Sequence, residues 1–242
     1  MNIEGKNQVL EAIKNGTTIN KLLIDKNYAT RKDDIISLAK KNGIRVEFLP
    51  KKTMDSLSAT LHHQGYIAQA VEFEYSSVEE ILDVAKERNH DAFVVLLDGI
   101  EDPHNLGAII RTCECAGVDG IIIPKLHACQ VNETAIRTSA GAISNIKIAR
   151  VTNLKEAIDT LKKNGLWIYV CETGGEDIYK QNLTGPIGIV VGSEGFGVKQ
   201  SLRTYCDGII TLPLKGSVNS LNASVASAIT IYEILRQRET KK

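Results

Sequence analysis

Three short stretches of this 242-residue chain gather amides, hydroxyls, a carboxylate and a guanidinium at the ends of apolar runs. The first, DGIEDPHNLGAIIRT (98–112), follows the run FVVLLD. In it Pro103 fixes a turn, and Asn105 stands where it can cap a helix whose buried face is Leu106, Ile109, Ile110 and Cys113. Arg111 has two readings, a solvated helix cation or a guanidinium that grips a phosphate through two parallel N–H groups. His104 has no evident carboxylate partner and reads as a loop residue. The second stretch, VVGSEGFGV (190–198), places Gly192, Glu194, Gly195 and Gly197 directly after an apolar strand, where glycines let a ligand approach the backbone. Its G-x-x-G-x-G spacing is not the dinucleotide fingerprint G-x-G-x-x-G, so a tight structural turn explains it equally well. The third, LKGSVNSLNASVASAIT (214–230), crowds Ser217, Asn219, Asn222 and Ser224 ahead of an apolar helix. One Ser or Asn suffices for a cap, so the surplus points to a bound ligand. Cys171-Glu172-Thr173-Gly174-Gly175 ends a further strand and could wall the same crevice.

These stretches need a frame. Strands are expected at 93–98, 120–123, 146–151, 167–171, 187–192 and 208–212, alternating with helices at 105–117, 132–140, 153–164, 197–204 and 219–238. The strands are apolar and β-branched without alternation, which indicates a parallel sheet covered by helices on both faces. Ligands of such sheets bind beyond the C-terminal strand ends, where all three stretches fall. Ahead of this domain, helices at Lys6–Lys14 and Arg31–Lys41 and strands at Ile19–Ile24, 45–49 and 66–75 form a small α/β unit. Ser76 and Ser77 precede a helix with Glu79 and Glu80 in its first turn, so the boundary falls near 74–78, giving domains 1–75 and 76–242.

Composition sets limits. Hydrophobic residues make up 43% and charged residues 24%, as in a soluble globular protein. The N-terminal stretch MNIEGKNQVL has charges and no apolar core, unlike a secretory signal, and the longest apolar runs are strand-sized. Five cysteines with no C-x-x-C pair read as reduced thiols of a cytosolic protein, and Cys113 and Cys115 would point about 200° apart on a helix. The formal net charge is zero, but residues 1–70 carry 11 Lys/Arg against 7 Asp/Glu, residues 71–110 carry 2 against 10, and the remainder 16 against 12. A mildly basic N-terminal part is compatible with RNA contact without demonstrating it.

In this order and spacing the three stretches resemble the SpoU family of RNA ribose 2'-O-methyltransferases, in the SPOUT superfamily. The matching motifs are Asp102-Pro103-His104-Asn105-Leu106-Gly107-Ala108 with Arg111, then Gly192-Ser193-Glu194-Gly195-Phe196-Gly197, then Leu212-Pro213-Leu214 through Ser217-Val218-Asn219-Ser220-Leu221-Asn222-Ala223-Ser224. Residues 1–75 look like the family's L30e-like RNA-binding domain, and the chain is most similar to the bacterial 23S rRNA guanosine 2'-O-methyltransferases. The resemblance implies a homodimer, a trefoil knot over about 187–238 and a bent S-adenosyl-L-methionine held within it, with no metal and no membrane partner. The implied cofactor residues are Thr173, Gly192, Glu194, Gly195, Leu212, Leu221 and Asn222, and the implied catalytic residues are Asn105, Arg111, Glu194, Ser217 and Asn219. It implies an RNA substrate, a guanosine ribose of 23S rRNA. A tRNA ribose methyltransferase, an enzyme of antibiotic resistance acting on another rRNA loop and a non-catalytic RNA-binding module are the alternatives. A nucleotide-cofactor oxidoreductase is disfavoured by the missing phosphate fingerprint.

Overall fold

A computed structural model of the chain describes residues 2–15, 17–29, 33–70 and 73–240. They form two compact units, one of Met1–Glu74 with Lys125–Glu133, the other of Tyr75–Pro124 with Thr134–Lys242.

The first unit runs β1 (Asn2–Glu4), α1 (Lys6–Lys14), β2 (Ile19–Asp25), α2 (Asp34–Lys41), β3 (Arg45–Leu49), α3 (Lys51–Leu57) and β4 (Tyr66–Ala70). Its sheet has the order β1-β4-β2-β3, with β2 and β3 parallel and the other pairs antiparallel. Strand β2 is buried on both faces. Leu22 and Ile24 pack with Val9 and Ile13 of α1 and Ile35 and Ala39 of α2, while Leu23 meets Ile67 and Met54 of α3. Helix α2 begins later than the sequence pattern suggests, because Asp33 caps it by accepting from the Ile35 N–H at 3.0 Å; Arg31 and Lys32 lie outside the described residues. Strand β4 ends at Ala70 rather than running to residue 75, Val71 and Glu72 likewise lying outside the described residues. The stretch Lys125–Glu133 joins this unit through the His127 N–H donating to the Lys41 carbonyl at 3.3 Å and Asn20 Nδ2 donating to Glu133 Oε2 at 2.9 Å.

The second unit contains α4 (Val78–Glu87), β5 (Phe93–Asp98), α5 (Pro103–Cys115), β6 (Gly120–Pro124), α6 (Glu133–Thr138), β7 (Lys147–Val151), α7 (Leu154–Lys163), β8 (Trp167–Asp177), β9 (Ile187–Gly192), α8 (Gln200–Arg203), β10 (Gly208–Thr211) and α9 (Ala223–Thr240). Its six strands lie in the order β10-β8-β9-β5-β6-β7, and every pair is parallel. That is the parallel α/β domain expected from the unalternating strands. Ile81 and Leu82 of α4 with Ile158 and Leu161 of α7 cover one face over Val94, Leu96, Ile122 and Ile168. Helix α4 starts with a full capping box, Ser77 accepting from the Glu80 N–H at 3.1 Å and Glu80 from the Ser77 N–H at 2.6 Å. Helices α5 and α9 pack on each other, with Ile109, Ile110, Ile231 and Ile234 fully buried. Among the described residues no helix is long and apolar enough to cross a membrane.

Helix α8 spans Gln200–Arg203 rather than the expected 197–204, and two further expectations fail at helix starts. Asp102, not Asn105, caps α5: its carboxylate accepts from the His104 N–H at 2.9 Å and Pro103 takes the first helical position. His104 therefore belongs to the helix and not to a loop. Helix α9 begins at Ala223 rather than 219, because the Asn222 side chain accepts from the Ser224 N–H at 3.0 Å and the Val225 N–H at 3.3 Å. Strand β8 also runs past residue 171. Ile209 of β10 pairs with Val170 and Ile210 with Glu176, so residues 171–175 bulge out of that ladder.

In the first unit Glu4 ties β1 to the segment after α3, accepting from Ser58 Oγ at 2.7 Å, Thr60 Oγ1 at 2.5 Å and the Ala59 N–H at 2.7 Å. The Thr60 hydroxyl, with these other donors, lowers its carboxyl from an ordinary 4.5 to about 2. A carboxylate depressed in the folded state stabilises fully above its unfolded value and loses that contribution as acid is added. The wild-type midpoint for urea unfolding should therefore fall between pH 4.5 and about 2 more steeply than that of Glu4→Gln. Superimposable acid profiles would show that the Glu4 clamp carries no charge-dependent stability.

Candidate functional site

The C-terminal ends of β8, β9 and β10 border an open cavity of about 320 Å³. Thr173 of the bulged β8 segment, Gly192 and the turn after β9, and Leu212, Leu214 and Leu221 of the segment between β10 and α9 line it. The β8 wall is pinned by Thr211, whose hydroxyl donates to the Glu172 carbonyl at 2.7 Å and accepts from the Gly175 N–H at 2.8 Å.

The turn after β9 closes on itself. The Gly197 N–H donates to the Ser193 carbonyl at 2.9 Å and the Ser193 N–H to the Gly197 carbonyl at 3.2 Å. Two glycines permit this. A Cβ on Gly192 would lie 2.1 Å from the Gly197 carbonyl carbon, and a Cβ on Gly197, whose φ is +64°, would lie 2.3 Å from Glu172 Oε1. Beyond the turn the chain is tied to the end of β5, where the buried Asp98 carboxylate accepts from the Lys199 N–H at 2.9 Å and pairs with Lys199 Nζ at 3.1 Å. Glu172 pairs with Arg203 Nε at 2.9 Å on the other side.

This rigid turn carries Glu194 to the start of α9. Its Oε1 accepts from Asn105 Nδ2 at 3.1 Å, from Asn222 Nδ2 and from the Ala223 N–H at 3.3 Å. Asn222 Nδ2 also donates to Asn105 Oδ1 at 3.0 Å, closing a ring of two amides and one carboxylate. Because Asp102 caps α5, the Asn105 amide is left free to join that ring.

The residues expected at the site fall into two groups. Thr173, Gly192, Glu194, Gly195, Leu212, Asn219 and Leu221 line the cavity, and Asn105 and Asn222 are bonded to its rim through Glu194. Arg111 and Ser217 do not line it; both are exposed and make no side-chain hydrogen bond or ion pair among the described residues. Sequence reasoning gave no role to Leu214 and Phe196, which also line the cavity, or to Asp98. For Asp98 a signal existed: a carboxylate ending a wholly apolar strand is buried and needs a partner. Among the described residues no group of His, Cys, Asp and Glu could hold a metal ion.

Residues 92–232 match the model of the SpoU rRNA Methylase family, and residues 2–76 match the model described as RNA 2'-O ribose methyltransferase substrate binding. A TrmH family tRNA/rRNA methyltransferase of Staphylococcus saprophyticus is 43% identical, the match covering 98% of this chain and 95% of the relative. One from Bacillus subtilis is 39% identical over 97% and 94%. Among solved structures, the AdoMet complex of the SpoU methyltransferase AviRb from Streptomyces viridochromogenes has a TM-score of 0.64 at 24% identity, covering 99% of this chain and 91% of its own. The TrmH/SpoU tRNA modifying enzyme of A. aeolicus has a TM-score of 0.58 at 29% identity, over 68% and 82%.

If Glu194 Oε1 holds the first turn of α9, Glu194→Ala should speed amide hydrogen exchange at Ala223 and leave β5 and β9 unchanged. Unaltered exchange at Ala223 would mean that Asn222 alone orders the turn.

Proposed function

The chain belongs to the SpoU rRNA methylase family, and on that premise we propose that it transfers the methyl group of S-adenosyl-L-methionine to a ribose 2'-hydroxyl of RNA, a guanosine of 23S rRNA. The observation that carries the reading is the cavity at the ends of β8, β9 and β10 with the Glu194-held amides on its rim. Its volume suits a small cofactor, and Leu212, Leu214 and Leu221 offer an apolar wall to an adenine. A Cβ on Gly195 would meet nothing, so backbone there is open to a ligand.

When bound, the cofactor supplies a methyl group on a sulfonium, itself a good leaving group. The protein's share is to position and to move a proton. Thr173, Gly192, Gly195, Leu212 and Leu221 hold the cofactor. Glu194 fixes Asn105 and Asn222 by accepting their amide protons. Asn105, Ser217 and Asn219 orient the ribose. A guanidinium keeps its charge in proteins, which makes Arg111 a poor base. Exposed and unpaired among the described residues, it grips the adjacent RNA phosphate, whose non-bridging oxygen accepts the hydroxyl proton and passes it to water.

The first unit, matched to the family's substrate-binding model, docks the RNA. Two copies act together. Helix α9 mixes apolar and polar residues round its circumference, and after α5 and the sheet cover one side, Val225, Ile229 and Tyr232 stay exposed along the other, a stripe suited to a second copy. Residues 187–238 are threaded as the family's trefoil knot. The edge position of β10 and the return of the chain to α9 against α5 support that path.

Arg111→Ala should cut methyl transfer by about two orders of magnitude while cofactor affinity measured by calorimetry is retained. Lost cofactor binding would make Arg111 structural. For the substrate, 2'-O-methyl sites should be mapped on rRNA and tRNA from cells lacking the gene. One missing 23S guanosine methylation is expected. A missing tRNA methylation with intact rRNA would replace the rRNA reading.

A further inference from the structure

Phe196 is 96% exposed, the most exposed large apolar side chain among the described residues. It sits in the turn that carries Glu194, and it also lines the cavity. A lone apolar residue on a surface is ordinary. This one is held out on a backbone with little slack. The turn is closed by its Ser193–Gly197 hydrogen bonds, Gly192 and Gly197 are in contact, and Asp98 fixes the chain just after it. Leu212, Leu214 and Leu221 already supply the apolar wall of the cavity, so the ring is not needed to complete it.

We propose that Phe196 is a stacking platform for a nucleobase of the RNA substrate beside the ribose that is methylated. The inference rests on the proposed function and adds to it a contact with the base. Bases displayed in single-stranded or looped RNA are recognised by stacking on aromatic side chains, and such stacking tolerates any base because each has a flat π-face. The position fits that task. Glu194, two residues earlier, orders the amides of Asn105 and Asn222, so a base seated on the ring brings its sugar toward those groups. A second copy of the chain has a different surface to use, the α9 stripe of Val225, Ile229 and Tyr232.

The test uses the full-length protein with total RNA from cells lacking the gene. Phe196→Ala should raise KM for RNA about tenfold, with kcat and assembly by sedimentation unchanged and any change in cofactor affinity smaller than the change in KM for RNA. Phe196→Tyr should restore the wild-type KM, and Phe196→Leu should not. An unchanged KM, a loss of cofactor affinity as large as the rise in KM or a loss of assembly in Phe196→Ala each overturns the proposal, the last two showing a cofactor lid or a subunit contact. Phe196→Trp provides a readout independent of turnover, once the chain's single tryptophan, Trp167, is replaced by Phe. RNA should quench that fluorescence, and no quench counts against stacking. If the wild-type protein transfers no methyl group to this RNA, the activity reading fails, and the quench still decides whether the ring meets a base.

Discussion

One carboxylate oxygen organises the site. Glu194 Oε1 receives N–H groups from Asn105 in α5, from Asn222 before α9 and from Ala223 at the start of α9, and so joins two stretches of chain far apart in sequence. An ionised acceptor makes stronger hydrogen bonds than a neutral one, which suits a junction that must hold exposed side chains against water. The junction depends on where Glu194 is delivered. The turn that carries it needs Gly192 and Gly197 in van der Waals contact, and its exit is held by the buried Asp98. It depends equally on Asn105 being free, and that freedom comes from Asp102 taking over the cap of α5.

Much of the frame was legible because it rests on local signals. Helix α1 and strands β3, β5 and β9 occupy the residues that periodicity assigns them, and unalternating β-branched strands foretold a wholly parallel sheet. The misses share a cause. Asp102 and Asn105 both have capping side chains three residues apart, and only Pro103, preset for the first helical position, decides between them. The start of α9 is set by Asn222, whose cap interaction lies in a run with several equivalent candidates. The extension of β8 answers to its pairing with β10, a contact far away in sequence. Strand β1 and helix α3 are too short to show a period. At the site, most of the expected cavity-lining residues lie in the motifs, whereas a supporting group such as Asp98 is signalled only by its position, a carboxylate ending an apolar strand.

Helix α9 joins stability to chemistry. Its N-terminal turn is part of the amide ring, and its C-terminal end is fastened by Arg238, which donates to the carbonyls of Asp91, Ala92 and Gly185 at 2.8–3.0 Å. Those carbonyls lie just before β5 and β9, at the opposite ends of the strands from the cavity. The guanidinium also lies 5.0 Å from the Phe93 ring centroid. Fastened at both ends, α9 holds Asn222 at a fixed height over the sheet. Slack at Arg238 would reach the ring along a rigid element.

On the proposed reading an acidic residue stands beside a polyanionic substrate, and the geometry removes the conflict. Glu194 Oε1 spends its negative charge on three N–H donors of the protein itself, so it orders the neighbouring amides without facing the RNA as a bare anion. The opposite holds for Arg111, which is exposed and has no carboxylate partner among the described residues. In a chain whose formal net charge is zero, long-range attraction to phosphate is weak, so on the proposed reading an unneutralised guanidinium that meets the substrate counts for more than overall charge does. Affinity then has to come from local contacts, phosphate to guanidinium and base to apolar surface, and those contacts fix the ribose in place, as proximity catalysis requires.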